Sequence, residues 1–142
     1  MKFSELNEAS WLELQHYLDT CLLPVSGLRG DETPWEATDK IARTGQWLAP
    51  IETSFHGRTV TLPAYHYDLS DEGDVTRLNN LCSKLRNTGF AYIIVVCGQP
   101  EYLSNEIVAD LLVQPMVLDE QPDVDSIRSQ IAMLWRKPAV TQ

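Results

Sequence analysis

Apolar and polar positions alternate between two periods along this chain, and the switches mark out its elements. Tyr92–Cys97 is six apolar or aromatic residues without a charge, four of them β-branched. Such a run is too short for a helix and suits a strand buried on both faces. Thr20–Val25 reads as another strand, with Pro24 near its end because proline cannot donate to a ladder. Arg58–Tyr65 alternates enough to be a third, and Pro63 inside it points to a sheet edge. Pro115–Asp119 is a short fourth candidate.

Helical spacing fills the intervals. Ser10 is placed to cap a short helix to about Leu18, with Trp11, Leu14 and Leu18 on one side. Thr33, Pro34 and Glu36 spell a capping box with proline at the first helical position. Trp35, Ile41 and Leu48 are the expected buried side of the helix they open, and Pro50 is expected to limit it, because it disfavours helical geometry at Ala49. Val75, Leu78, Cys82 and Leu85 share one stripe of a helix from Asp74 to Asn87 that Gly89 ends. A short helix is expected from Ser104 or Asn105 through Leu112. The last runs from the Asp123 cap, with Val124, Ile127, Ile131 and Leu134 inward, to Pro138.

The pattern predicts an α/β domain in three layers. Its open, mostly parallel four-stranded sheet has the order 2-1-3-4, helices on both faces and an extra N-terminal helix. No repeat or linker divides residues 1–142, so one domain is expected, with 1–6 and 139–142 as frayed ends. Ligands in such sheets bind outside the carboxyl ends of the strands where the order reverses, here between the loops after strands one and three.

Composition narrows the partners. Eleven basic and 20 acidic side chains give a formal net charge of −9, which repels phosphate backbones and anionic lipid, so nucleic-acid binding is not expected. No stretch approaches the ~20 apolar residues of a membrane span. The start of the chain lacks the apolar core of a signal peptide. Cys21, Cys82 and Cys97 are odd in number and widely spaced, neither a disulfide framework nor a zinc pattern. A reducing, cytoplasmic setting is the expectation.

The carboxyl-end loops offer weak candidates. A phosphate-containing ligand would use Ser26, Gly27, Arg29 and Gly30, with Gly98 and Gln99 opposite. Yet the loop fits no phosphate-binding fingerprint, and Asp31 and Glu32 oppose an anion. A thiol mechanism would take Cys97 as nucleophile, His66 as base and Asp68 as orienting carboxylate. Against it, cysteine is usually inert core, and His66 and Cys97 would stand two strand spacings, about 10 Å, apart. Asp68, Asp71, Glu72 and Asp74 do not follow EF-hand spacing, so a solvated turn is preferred to a metal site. No cofactor is implied. Trp11, Trp35, Trp47 and Trp135 all fall in helices and read as packing, with a partner-binding patch as the lesser reading.

The stretches Tyr17–Val25, Pro34–Ala37 and Gly57–Tyr67 resemble the YpiF-like proteins of spore-forming Gram-positive bacteria, a domain-of-unknown-function family of small single-domain proteins. The resemblance carries no activity, cofactor or site residue onto this chain. Some members are encoded beside genes for a menaquinol–cytochrome c reductase, which implies an accessory role near the respiratory chain. Two functions therefore stand against each other. One is a non-catalytic domain that binds a protein partner or a second copy of itself. The other is a small-molecule-binding or thiol-dependent enzymatic domain. The first is favoured, because the loops lack a convergent set of titratable groups.

Overall fold

The computed structural model describes residues 1–67, 72–100 and 103–136. The elements run α1 (Glu8–Leu14), β1 (Thr20–Val25), α2 (Pro34–Ser54), β2 (Thr59–Thr61), α3 (Glu72–Asn87), β3 (Tyr92–Cys97), β4 (Leu111–Val113) and α4 (Val124–Trp135). The sheet is all parallel in the order β2-β1-β3-β4, as the pattern predicts. Every residue of β1 and β3 is buried, and the two pair over their full length from Thr20↔Tyr92 to Val25↔Cys97.

Alternation along these strands divides the core. Cys21, Leu23, Val25, Ile93, Val95 and Cys97 face Leu78 and Cys82 of α3 together with the segment around α1. Leu22, Ile94 and Val96 face Trp47 and Ile51 of α2 and Ile127 and Ile131 of α4. Each aliphatic side chain withdrawn from water in this way contributes about 1.5–3 kcal/mol.

Capping fixes where α1 and α2 begin. In α2 the Thr33 hydroxyl accepts from the Glu36 amide at 3.3 Å, and the Thr33 amide donates to Glu36 Oε1 at 3.1 Å. In α1 the cap is Asn7 rather than Ser10. Ser10 occupies the third helical position and returns the bond, its hydroxyl accepting from the Asn7 amide.

The buried side of α2 differs from the expected one. Thr44, Trp47 and Ile51 face the sheet, while Trp35 and Ile41 are 69% and 50% exposed. The helix also runs straight through Pro50 to Ser54. Proline there leaves the Gln46 carbonyl without its helical donor, a cost of about 3 kcal/mol. Burial of Ile51 and packing of Phe55 against the Trp135 ring on the far side of it offset that cost.

β3 and β4 are joined without the expected helix over 104–112. Leu103 and Ile107 are buried in turns instead, and Leu111–Val113, whose first two residues fall at the end of the expected helix, is the fourth strand. Asp110 sets this register. Its carboxylate accepts from the Ile93 amide at 2.7 Å and pairs with Arg86 at 2.8 Å, both side chains being almost fully enclosed. The expected strand Pro115–Asp119 is a loop.

The two sheet edges are finished differently. Lys2 bridges Thr61 outside β2, and the Thr61 amide donates to the Met1 carbonyl, so residues 1–2 lie along that edge. The outer edge of β4 has no partner strand among the described residues. At the amino end of the sheet Trp135 joins α4 to β1. Its indole N–H donates to Thr20 Oγ1 at 2.9 Å, and the Arg58 guanidinium lies 4.0 Å over its ring while pairing with Asp19.

Candidate functional site

The reversal of strand order falls between β1 and β3, so their loops meet at the carboxyl end of the sheet. Gly27 has φ +77°, which glycine alone adopts without strain, and it turns the chain out of β1. Gln99 lies directly against it: a Cβ on Gly27 would stand 2.5 Å from Gln99 Cγ. The Gln99 amide donates to the Lys40 carbonyl at 2.8 Å and to the Ser26 carbonyl at 3.3 Å, while its oxygen accepts from Arg43 at 3.4 Å. Gly98 is pressed against α2, where a Cβ would meet the Arg43 and Thr44 backbone at 2.3 Å. Its amide donates to Thr44 Oγ1. The crevice is therefore filled from within.

The loop after β1 is closed in the same manner. The amides of Arg29 and Gly30 are those a phosphate would use, and both donate to the Glu32 carboxylate, at 2.7 and 2.9 Å. The Lys40 ammonium completes the set at 2.7 Å from Glu32 Oε2. Held by Lys40 and by these amides, the Glu32 carboxyl is depressed to about 2. An internal anion occupies the nest.

Cys97 ends β3 fully buried, and desolvation pushes its thiol up to about 11, so it is protonated at neutral pH. Val25 separates the two parts of the thiol proposal, pairing with Cys97 on one side and bridging Tyr65 on the other. His66 turns instead to Ser26, with Nδ1 and Oγ 2.9 Å apart in a hydrogen bond, a pairing that sequence spacing does not reveal. Ser26 is only 2% exposed. Asp68 and Asp71 lie outside the described residues, and Asp74 is ion-paired to Arg77. Among the described residues no group of three or more His, Cys, Asp or Glu is arranged to hold a metal.

Two features of this end went unread in the sequence. Tyr67 and Asp119, neither of them glycine, have φ near +60°, a conformation that costs on the order of 1 kcal/mol or more. Each follows a strand at the carboxyl end. Between α2 and the loop after β4 lies a cleft of about 320 Å3, lined by Asp39, Arg43, Gly98, Asp119 and Glu120 among others. The model of a family described as a protein of unknown function, DUF2487, matches residues 9–132. The chain belongs to the DUF2487 family. No curated protein and no solved structure matches it. The DUF2487 description assigns no residue a role, so the chemistry of this end has to be argued from its geometry. Among the described residues no helix is long and apolar enough to cross a membrane.

Proposed function

We propose that this DUF2487 domain is a non-catalytic interaction or accessory protein that binds another protein and turns over no small molecule. One observation carries the reading. The crevice where parallel sheets of this kind take ligands is packed by the chain's own Gln99, Gly98 and α2 backbone. The Glu32–Lys40 pair on the neighbouring amides and the protonated, buried Cys97 support it further. The finer reading is a YpiF-like protein, on the stretches Tyr17–Val25, Pro34–Ala37 and Gly57–Tyr67, with a Rossmann-like, doubly-wound sheet and a place in the cytoplasm. Three buried free thiols suit a reducing compartment.

Thermal-shift titration with nucleotides, inorganic phosphate and divalent cations tests this. A ligand at a hundred times its Kd would stabilise the fold by about 2.7 kcal/mol, and with no small-molecule site the response across the panel is expected to be flat. A reproducible rise with any of them would replace the interaction reading by a small-molecule one.

The Ser26–His66 hydrogen bond favours a second reading, a serine nucleophile with an imidazole base. The burial of Ser26 opposes it, because no acyl or phosphonyl group reaches that oxygen without the loop opening. Labelling with a fluorophosphonate decides: stoichiometric modification lost in Ser26→Ala supports the nucleophile, and absence of labelling removes it.

A further inference from the structure

The least explained surface follows β4. Met116, Val117 and Leu118 are 82%, 62% and 59% exposed, three apolar side chains in succession turned to water. Isolated exposed apolar residues are ordinary, whereas a consecutive run beside a sheet edge that has no partner strand among the described residues marks a docking surface. The loop that carries them is tightly held. The Gln114 amide bonds both the N–H and the carbonyl of Leu103, at 3.0 and 2.9 Å. Glu120 reaches back to accept from the Met116 amide, its own amide donates to the Val117 carbonyl, and Asp119 takes the left-handed turn between them. Arg43 Nε anchors Asp119 at 3.7 Å. The apolar triplet is thus presented by a formed turn, and a partner has little ordering cost to meet there.

Charge selects the occupant. From Asn87 to Ile127 the chain carries no lysine, arginine or histidine, against seven carboxylates. Asp119 and Glu120 follow the triplet directly and, with Asp39, line the 320 Å3 cleft beside it, whose cation Arg43 is already engaged by Asp119 and Gln99. A second copy of the chain would set these acids against the same acids, and an anionic membrane would be repelled. We infer that Met116–Leu118 and the adjoining edge of β4 dock an extended apolar segment of another protein that carries lysine or arginine, its aliphatic side chains covering the triplet and its cation entering the acid-lined cleft. This rests on the interaction reading above and gives it a surface and a partner chemistry.

The test is fluorescence anisotropy with a labelled synthetic peptide of alternating leucine and lysine, and a control with glutamate in place of lysine. Hydrogen exchange on the intact chain maps the contact. Binding of the lysine peptide alone is expected, with protection over Leu111–Glu120. The double change Met116→Ser with Leu118→Ser is expected to weaken it about tenfold or more. Asp119→Asn with Glu120→Gln is expected to weaken it most at low salt. The matched change Trp35→Ser with Ile41→Ser, at exposed apolar positions of α2, should leave it unaltered. Equal binding of the glutamate peptide, equal loss in the α2 variant, or no binding at all overturns the inference. A light-scattering dimer that Met116→Ser with Leu118→Ser dissolves also overturns it, in favour of a second copy. Protection mapped to another face sinks this surface while sparing the interaction reading. A small-molecule response in the thermal-shift panel sinks the reading itself.

Discussion

The carboxyl end of the sheet has two halves that treat their side chains in opposite ways. Between β1 and β3 the groups a ligand would meet are taken up by the chain itself: Gln99 spans two carbonyls, Glu32 covers two amides, and Gly98 admits the backbone of α2. Beyond β4 the loop is equally well tied, yet its apolar side chains point out. The first half has spent its hydrogen-bonding capacity on the fold, and the second has kept its contact area free. Where a fold of this type ordinarily places chemistry, this chain has placed packing.

The sharpest way to break that contrast is Gly98→Ala. The added Cβ meets backbone rather than a flexible side chain, so α2 must shift, and a loss near the upper end of about 1–3 kcal/mol is expected in urea denaturation. A loss under half a kcal/mol would mean that α2 is not seated on β3 as described. Gln99→Ala comes next. It takes the side-chain donor from the Ser26 carbonyl and a second bond from the Lys40 carbonyl, and is expected to cost about 1–2 kcal/mol.

A pH series probes the Glu32 nest. Its folded-state carboxyl titrates near 2 rather than at the ordinary 4.5, so the stability it confers is fully present above that ordinary value and disappears as pH falls towards about 2. The melting-temperature gap between the native chain and Glu32→Gln should therefore hold constant at neutral pH and close below about 4.5. A gap that persists into strong acid would show that the nest does not need the charge. The smallest effect belongs to the outward half. Met116→Ser with Leu118→Ser should change stability by no more than about 0.5 kcal/mol per site, because both side chains stay mostly in water on folding. A larger loss would place those residues in the core.

Local rules made much of the scaffold readable. The β-branched run at Tyr92–Cys97 and the Thr33–Glu36 box each carry their signal within a few residues, and both formed where expected. Signals that depend on distant partners were not readable. Thr44 looks like a surface residue of α2 until its hydroxyl is seen receiving the Gly98 amide, and its neighbours Trp47 and Ile51 follow it inward. Trp35 and Ile41 are apolar without being core. Pro50 obeys the rule against helix interiors in sequence, and packing overrides it in space. Met116–Leu118 resembled a strand because apolar residues usually seek the interior, and Leu111–Leu112 looked helical because nothing in them reveals that Asp110 is fastened to Ile93 and Arg86. The candidate crevice was legible as a location and not as a state, since a glutamine after a strand gives no sign of the two carbonyls it will bridge.

The placement of Trp135 has a practical consequence. Its ring lies under a guanidinium, and its N–H is committed to a threonine on the first strand. Any opening that separates the final helix from the sheet must uncover the indole and release that cation together. The emission of this one chromophore, isolated by replacing the other three tryptophans with phenylalanine, would therefore follow the last helix leaving the sheet and distinguish a fraying terminus from collective melting.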